Sequence, residues 1–262
     1  MFFGMPTLIE TNNLEECAII CKDLGLSFIE ISMSLPQYTL DSIDIAKASK
    51  IADQYGIFYT IHLDENINFS DFNSYIAEAS RRYIADTIEL CKQLRISTIN
   101  MHFHRGEHFT LPDRKVDLYE VYNDHYLKSV YNFRELCEKA IGMYNINICI
   151  ENCNGYPNFQ KKGLDILLGS PVFGLTYDVG HNHGCGNLDE PYIFENEKHL
   201  HHIHLHDAIG KKNHLALGTG ELDIAKYLAL AQKHNCQVVL ETKTIEGLKE
   251  SVAWMKNHNY LS

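Results

Sequence analysis

The feature that most constrains the fold is a regular alternation of two kinds of segment along the whole chain. Short apolar runs rich in Ile, Val, Phe and Tyr are typical of strands buried on both faces. The longer segments between them carry apolar residues at helical spacing. The first of these has Asn12 or Asn13 as a favoured helix cap and Gly25 as its stop. The 262 residues therefore divide into eight strand–helix units of roughly 33 residues each.

The predicted strands cover residues 2–8, 28–31, 58–63, 96–104, 146–152, 173–179, 201–206 and 236–241. The predicted helices cover residues 13–24, 40–55, 71–94, 123–144, 164–168, 191–198, 224–234 and 245–258. Eight such units predict an α/β fold, a (β/α)₈ barrel that forms a single domain over residues 1–262. An open doubly wound sheet is the competing architecture. It would need a Gly-x-Gly-x-x-Gly phosphate loop between a strand and a helix, and Gly218-Thr-Gly220 instead follows a loop.

The seventh predicted strand carries the most distinctive pattern of the chain. Strand alternation places His202, His204 and His206 on one face and Ile203 and Leu205 on the other. An apolar face suits packing against helices, and a row of imidazoles suits the lining of a pocket. The same pattern can also belong to a histidine-rich strand on the surface, so this segment by itself leaves both interpretations open.

Five other strand ends show polar or ionisable residues on one parity, and this favours the pocket. Strand by strand, the residues on that parity are Thr60, His62 and Asp64; Asn100, His102 and His104; Cys149, Glu151 and Cys153; Thr176 and Asp178; and Val239 and Glu241. The last of these strands contributes one ionisable residue, Glu241. In a barrel of this kind, the C-terminal ends of the strands build the active site.

Each ionisable residue taken singly has a simpler explanation. Glu30 can pair with a neighbouring lysine, Asp178 can cap the loop after its strand, and Glu241 can bind Lys243. Taken together, too few cations share the parity of Glu151, Asp178 and Glu241 to neutralise them, and burying unpaired carboxylates is costly. A divalent ion would neutralise them. Mixed carboxylate and imidazole ligands suit Mn²⁺, Co²⁺, Zn²⁺ or Fe²⁺, whereas Mg²⁺ is less suited to histidine.

These strand ends resemble the xylose isomerase-like TIM-barrel superfamily over essentially the whole chain. The group holds sugar isomerases and epimerases, inosose dehydratase-like proteins and the apurinic endonucleases of the endonuclease IV type. The resemblance is carried by Ile148-Cys-Ile-Glu-Asn152, Tyr177-Asp-Val-Gly-His181, His202-Ile-His-Leu-His-Asp207 and Leu240-Glu-Thr242. It implies that Glu151, Asp178, His204 and Glu241 bind one divalent metal ion.

The endonuclease branch of the superfamily has further metal ligands. At the matching positions this chain has His62, His104 in His104-Arg-Gly106, His181, and His214 before Leu217-Gly-Thr-Gly220. The resemblance implies that these histidines bind substrate or a second metal ion. Lys212 stands where that branch has an aspartate ligand, which argues against a complete three-metal site.

Substrate recognition should also differ from that of the better-known ketose epimerases. Those enzymes carry an arginine six residues after the histidine of strand seven, and here that position is Gly210. Lys211 or Lys212 is then a candidate for holding an anionic or hydroxyl group of the substrate.

Charge and cysteine content restrict the partners. A net charge of −11 argues against nucleic acid, and the alternation leaves no apolar stretch long enough to span a membrane. Eight cysteines without a Cys-x-x-Cys pair are typical of reduced, mostly buried thiols in a cytoplasmic protein. A homo-oligomer is left open.

The expected function is a metal-dependent isomerase or epimerase of a small, sugar-like substrate in carbohydrate metabolism. Glu151 and Glu241 are the expected proton-transfer pair, because strands five and eight lie on opposite sides of an eight-stranded ring. The alternatives are a zinc-dependent phosphodiesterase of the endonuclease IV type and a barrel that only binds a polyol.

Overall fold

The eight predicted strands close into one parallel barrel. The structure is a computed structural model that describes residues 1–261. The barrel strands, labelled β1 to β8 in chain order, are Phe2–Pro6, Phe28–Ser32, Phe58–His62, Thr98–His102, Asn147–Glu151, Phe173–Asp178, Leu200–Leu205 and Gln237–Leu240. Each strand pairs with its sequence neighbours, and β1 closes the ring by pairing with β8. The predicted (β/α)₈ barrel is confirmed.

Helices connect the strands on the outside of the barrel. They are labelled α1 to α10 and cover Leu14–Asp23, Ile45–Tyr55, Ser74–Leu94, Leu118–Val121, Asn123–Ile141, Asn158–Leu168, Val179–Gly184, Glu190–Glu195, Ile224–His234 and Ile245–Asn257. All eight predicted helices are found, although α6 begins six residues before the predicted 164–168 and α2 begins five after the predicted start at residue 40. The short helices α4 and α7 were not predicted.

The ends of α1 show how local chemistry sets a boundary. The Asn13 side chain accepts a hydrogen bond from the backbone N–H of Glu16 at 3.0 Å, as a helix cap does. Gly25 follows the helix with φ of 77°, a left-handed conformation that favours glycine. Both predicted boundary signals are therefore in place.

Two short antiparallel hairpins interrupt the alternation near the C-terminal mouth of the barrel. One pairs His108–Thr110 with Lys115–Asp117, and the other pairs Asp207–Ile209 with Lys212–Leu215. Neither was predicted, because three- and four-residue strands in a loop carry no clear periodicity. The second hairpin directly follows β7 and positions residues of the site described below.

The lumen of the barrel changes character along its length. At the N-terminal end it is filled by the buried Phe28 ring, which lies so close to Gly4 that a Cβ there would be 2.5 Å from the ring. Further along, Glu30, Thr60 and His202 are buried in the lumen. The outward positions of the strands are apolar and pack under the helices, so the ionisable residues are confined to the side that opens at the mouth.

The thiols match the prediction as far as burial is concerned. All eight cysteines are free, and six of them are buried while Cys153 and Cys185 are partly exposed. Within residues 1–261, no helix combines the length and the hydropathy needed to cross a bilayer.

Candidate functional site

The four residues predicted to bind a metal ion lie at the C-terminal ends of four consecutive strands. Glu151 and Asp178 are the last residues of β5 and β6, His204 is one residue before the end of β7, and Glu241 directly follows β8. The strand register places Asp178 beside His204. All four side chains are buried, with at most 5% of their surface exposed.

One imidazole nitrogen lies at the centre of this group. His204 Nδ1 is 3.4 Å from Glu151 Oε2, 3.9 Å from Asp178 Oδ2 and 3.3 Å from Glu241 Oε2. Among residues 1–261, neither His204 Nδ1 nor Glu241 Oε2 has a hydrogen-bond partner. Four ligand atoms held tetrahedrally at about 2.1 Å from one Zn²⁺ lie about 3.4 Å from one another. The three distances from His204 Nδ1 are close to this spacing, so these four side chains could hold one divalent ion.

Three further histidines surround Glu151. His62 Nε2 is 3.4 Å from Glu151 Oε2, whereas His102 Nε2 and His181 Nδ1 are each 3.4 Å from Glu151 Oε1. The Asn100 side-chain amide also donates to Glu151. Among these side chains are two of the predicted substrate or second-metal residues, His62 and His181.

His104, the third of those residues, does not join this cluster. It lies two residues beyond the end of β4, and its Nδ1 accepts a hydrogen bond of 3.0 Å from the backbone N–H of Gly106. His102, which ends β4, contacts Glu151 in its place. Parity assigned both histidines to the lumen, but the chain leaves the strand direction after residue 102. The prediction of His104 as a site residue therefore has no support in this geometry.

The fourth residue, His214, reaches the site through the hairpin after β7. It adopts a φ of 56°, and its backbone N–H donates to His206 Nδ1 at 2.8 Å. Its own Nδ1 lies 3.7 Å from Glu241 Oε2. Since His206 Nδ1 accepts this hydrogen bond, the ring carries its proton on Nε2, which lies 3.1 Å from Asp178 Oδ1. His206 thus supports Asp178 from outside the four-residue group.

The motif Leu217-Gly-Thr-Gly220 anchors that hairpin rather than forming a nucleotide site. Asp207 is buried, and its carboxylate accepts hydrogen bonds from the backbone N–H groups of Ala208, Gly218, Gly220 and Leu222 at 2.9–3.1 Å. These bonds stabilise the negative charge and fix the loop. The Asp207 carboxylate is therefore structural.

The simpler explanations of the acidic residues are partly correct as well. Asp178 caps α7 by accepting from the backbone N–H of His181 at 2.6 Å, and Lys243 Nζ lies 2.8 Å from Glu241 Oε1. Asp178 Oδ2 and Glu241 Oε2 still face His204 Nδ1. Capping and ion pairing therefore coexist with the four-residue group.

Glu30 has other partners than the neighbouring lysine that was expected for it. Its buried carboxylate does not contact a lysine; it lies 2.8 Å from His204 Nε2 and 3.3 Å from His202 Nε2, and Thr60 Oγ1 donates to it at 3.3 Å. The available signal was parity, because Glu30 is an inward position of β2. Parity does not indicate which strand lies opposite Glu30 across the lumen.

The site opens into a cavity of about 590 Å³ whose lining includes Glu30, His62, His102, Glu151, His181 and Glu241. Of the cavity-lining residues that the structure describes, Lys243 is the only lysine or arginine. Lys211 and Lys212 are exposed in the hairpin and do not line this cavity. This position gives no support to the expectation that Lys211 or Lys212 holds a substrate group.

The ring position of the two predicted proton-transfer residues also differs from the expectation. Two strands separate β5 from β8 on one side of the barrel and four on the other, so the two strands are not opposite. Glu151 and Glu241 nevertheless both contact His204 Nδ1, at 3.4 and 3.3 Å. They therefore flank one point in the mouth.

The carboxylates change the acidity of the histidines. Burial by itself would lower the pKa of His62, but Glu151 and Glu30 outweigh this and raise the pKa to about 9. Burial likewise opposes the effect of Asp178 and Glu151 on His181, whose pKa is raised to about 9. Burial dominates for His214 and lowers its pKa to about 4. Without a metal ion, His62 and His181 are therefore protonated at neutral pH, whereas His214 is neutral.

Binding of a divalent ion at pH 7 should release protons. For His204, burial lowers the pKa but Glu241, Glu151 and Glu30 raise it well above its usual range, so the ring must lose a proton before Nδ1 can bind a metal. The affinity should rise with pH by about tenfold per unit for each proton displaced, until the pH exceeds the pKa of His204. Calorimetric titration with Mn²⁺ in two buffers of different ionisation enthalpy measures the number of protons released. Titration of a chelator with Mn²⁺ in the same buffers calibrates the measurement. Equal binding heats in both buffers would contradict it.

Comparisons with known proteins agree with this architecture. The family described as xylose isomerase-like TIM barrel matches residues 19–258. The uncharacterized protein MJ1188 of Methanocaldococcus jannaschii is 22% identical over 219 residues, which cover 80% of this chain and 75% of that protein.

Two solved structures share the fold along nearly their whole length. A D-tagatose 3-epimerase-like protein has a TM-score of 0.79 at 20% identity, with 99% of this chain and 97% of that chain covered. The IOLI protein, solved with a binding zinc atom, has a TM-score of 0.75 at 17% identity, with 99% and 96% covered.

Proposed function

Because the chain belongs to the xylose isomerase-like TIM-barrel family, we propose that it is a divalent-metal-dependent isomerase or epimerase of a sugar or a related polyhydroxy carbonyl compound. The observation that carries the proposal is the position of His204 Nδ1 within 3.9 Å of oxygens from Glu151, Asp178 and Glu241. The site is buried at the floor of a cavity that is large enough for a monosaccharide. The similarity to a D-tagatose 3-epimerase-like protein supports the sugar class, and the zinc of the IOLI protein supports a metal.

Glu151, Asp178, His204 and Glu241 would hold the ion. When bound, it supplies Lewis-acid polarisation of a substrate carbonyl. Mn²⁺, Co²⁺ and Zn²⁺ suit three carboxylates and one imidazole best. The polar side chains that line the cavity around the cluster, including His62, His102 and Lys243, would bind substrate hydroxyls.

Proton transfer is assigned to Glu151 and Glu241. One carboxylate removes the proton from the carbon next to the carbonyl and releases it to solvent, and the other takes up a solvent proton and delivers it to the same carbon or to its neighbour. Return to the opposite face of the same carbon gives epimerisation, whereas return to the adjacent carbon gives aldose–ketose isomerisation. Burial by itself would raise the pKa of Glu241, but His204 and then Lys243, which pairs with Glu241 Oε1, hold that pKa well below its usual range and so keep the carboxylate ionised.

Deuterium exchange tests this assignment. Metal-loaded protein in D₂O should incorporate deuterium into one member of a panel of ketoses that includes D-tagatose, as followed by NMR. Glu151→Gln and Glu241→Gln keep an oxygen but remove the base, so each should slow exchange by about 100-fold or more. Glu65→Gln is the matched control, because Glu65 is an exposed carboxylate that lines the same cavity.

Two outcomes would contradict the proposal. Exchange at the wild-type rate in both glutamine variants would move the proton transfer to other residues. Incision of an abasic DNA duplex by the zinc-loaded protein, without exchange into any sugar, would support the phosphodiesterase alternative instead.

A further inference from the structure

Glu30 is a buried carboxylate that the proposed reaction does not use. Only 1% of its surface is exposed, and its charged and polar contacts are His204, His202 and Thr60. Burying a carboxylate in a barrel lumen is costly unless its partners donate hydrogen bonds to it. An apolar side chain of similar size would fill the same space without that cost, so packing alone does not explain a glutamate here.

The position of Glu30 relative to His204 is specific. Glu30 Oε1 lies 2.8 Å from His204 Nε2, on the other side of the ring from the three carboxylates that face Nδ1. A separation of 2.8 Å is in the range of a charge-assisted N–H···O⁻ contact, although the N–H direction at His204 Nε2 does not meet hydrogen-bond geometry with any partner among residues 1–261. It is also shorter than the spacing of about 3.0 Å expected for two neighbouring ligands of one octahedral ion with bonds of about 2.1 Å. Glu30 therefore suits a proton acceptor for the Nε2–H group better than a metal ligand.

The opposite edge of Glu30 is held in place by two further groups. Thr60 Oγ1 donates to Glu30 Oε2 at 3.3 Å, and His202 Nε2 is 3.3 Å from the same oxygen. Thr60 and His202 are both fully buried, so these two side chains and Glu30 all lie inside the lumen. The carboxylate is thereby restrained on one side while its other oxygen faces His204.

We propose that Glu30 is a positioning residue that fixes the His204 tautomer. Glu30, whose Oε1 lies 2.8 Å from Nε2, favours the proton on that nitrogen and leaves the lone pair of Nδ1 directed to the point where Glu151, Asp178 and Glu241 converge. Carboxylates behind a metal-bound histidine orient the ring and increase its basicity as a ligand. This inference rests on the proposed metal site, but it does not depend on which reaction the site performs.

The test measures Zn²⁺ affinity by competition with a chromogenic chelator, so that no substrate is needed. Glu30→Leu removes the acceptor while keeping the approximate size, and it should weaken binding by about 10- to 100-fold. Glu30→Gln keeps an acceptor oxygen and should restore most of the affinity. Glu65→Leu is the matched control, because it makes the same substitution at an exposed carboxylate that lines the same cavity, and its Zn²⁺ affinity should equal that of the wild type.

A second readout separates positioning from a general effect on stability. In the zinc-loaded wild-type protein, ¹⁵N NMR should find the metal on His204 Nδ1 and a slowly exchanging proton on Nε2. If Glu30→Leu does not fold, Glu30→Gln in the same NMR measurement should show a faster exchange of that proton.

Three results would overturn the inference. The first is a folded Glu30→Leu protein whose Zn²⁺ affinity is within twofold of the wild type. The second is a metal bound to His204 Nε2. The third is a Glu30→Gln protein that binds one zinc ion fewer than the wild type and holds the remaining zinc with unchanged affinity. That result would make Glu30 a ligand of a separate zinc ion. If the wild-type protein bound no zinc at all, the proposed metal site would fail first.

Discussion

Replacement of Glu151 by alanine is expected to lower the affinity for Zn²⁺ or Mn²⁺ by more than about 100-fold, since even the loss of a residue that only supports a ligand typically costs ~10–100-fold. Both carboxylate oxygens of Glu151 contact histidines of the site. Its Oε2 faces His204 Nδ1 and His62, and its Oε1 faces His102 and His181. Metal-dependent turnover should be lost together with binding.

The same variant should change the acidity of its neighbours in a defined direction. Burial lowers the pKa values of His62 and His181, and Glu151 is among the groups that raise each to about 9. Without that carboxylate both pKa values should fall, so the two rings should lose their protons at a lower pH. NMR titration of the metal-free protein measures the change.

Glu65→Ala is the matched control for Glu151→Ala. Glu65 lines the same cavity, is exposed, and belongs to none of the ion pairs found within residues 1–261. Metal affinity and histidine pKa values should stay close to those of the wild type in this variant. Metal binding by Glu151→Ala at the wild-type level would show that the ion lies elsewhere.

Gly180→Ala should lower both the stability of the protein and its metal affinity. A Cβ at Gly180 would lie 2.0 Å from His206 Cε1 and 2.5 Å from its Nδ1, which is far inside van der Waals contact. The His206 ring has no free direction of movement, because Nδ1 accepts from the backbone N–H of His214 and Nε2 contacts Asp178. Moving it breaks one of these contacts.

The expected cost in stability is about 1–3 kcal/mol, as for other additions to a well-packed interior. Because His206 supports a predicted metal ligand, the affinity for Zn²⁺ should fall by about 10-fold or more. Denaturant unfolding and chelator competition measure the two effects. An affinity and a free energy of unfolding equal to those of the wild type would contradict the close packing of α7 on His206.

Gly184→Ala provides the control within the same helix. The nearest atom to a Cβ there, the Lys211 Cα, lies at an ordinary contact distance of 3.9 Å. Alanine is also a better helix former than glycine by up to about 1 kcal/mol. This variant should therefore be as stable as the wild type or slightly more so, and its metal affinity should be unchanged.

The sequence by itself determined the barrel and the strand-end positions of the four predicted ligands. Alternation along a strand is a local property, because successive side chains point to opposite faces whatever the neighbouring strand is. Once eight strand–helix units predict a closed barrel, Glu151, Asp178, His204 and Glu241 must all lie near one mouth. Parity was enough to place these four residues at the mouth, because each lies within one residue of the end of its strand.

Contacts that depend on where the chain leaves a strand were decided only by the tertiary structure. His102 and His104 share one parity, yet only His102 contacts Glu151, because β4 ends at residue 102. Lys243 rather than Lys211 or Lys212 lines the cavity for a similar reason, since an unpredicted hairpin exposes the latter two. Hydrogen bonds across a loop are not encoded in a short periodic pattern.

Contacts across the lumen were also beyond the sequence. Parity places Glu30 inside the barrel, but its contact with His204 joins β2 to β7, which are not neighbours in the ring. Such a contact depends on the tilt and stagger of all eight strands, which follow from closure of the whole sheet. Alternation specifies which side chains face the lumen, and only the closed barrel specifies which of them meet.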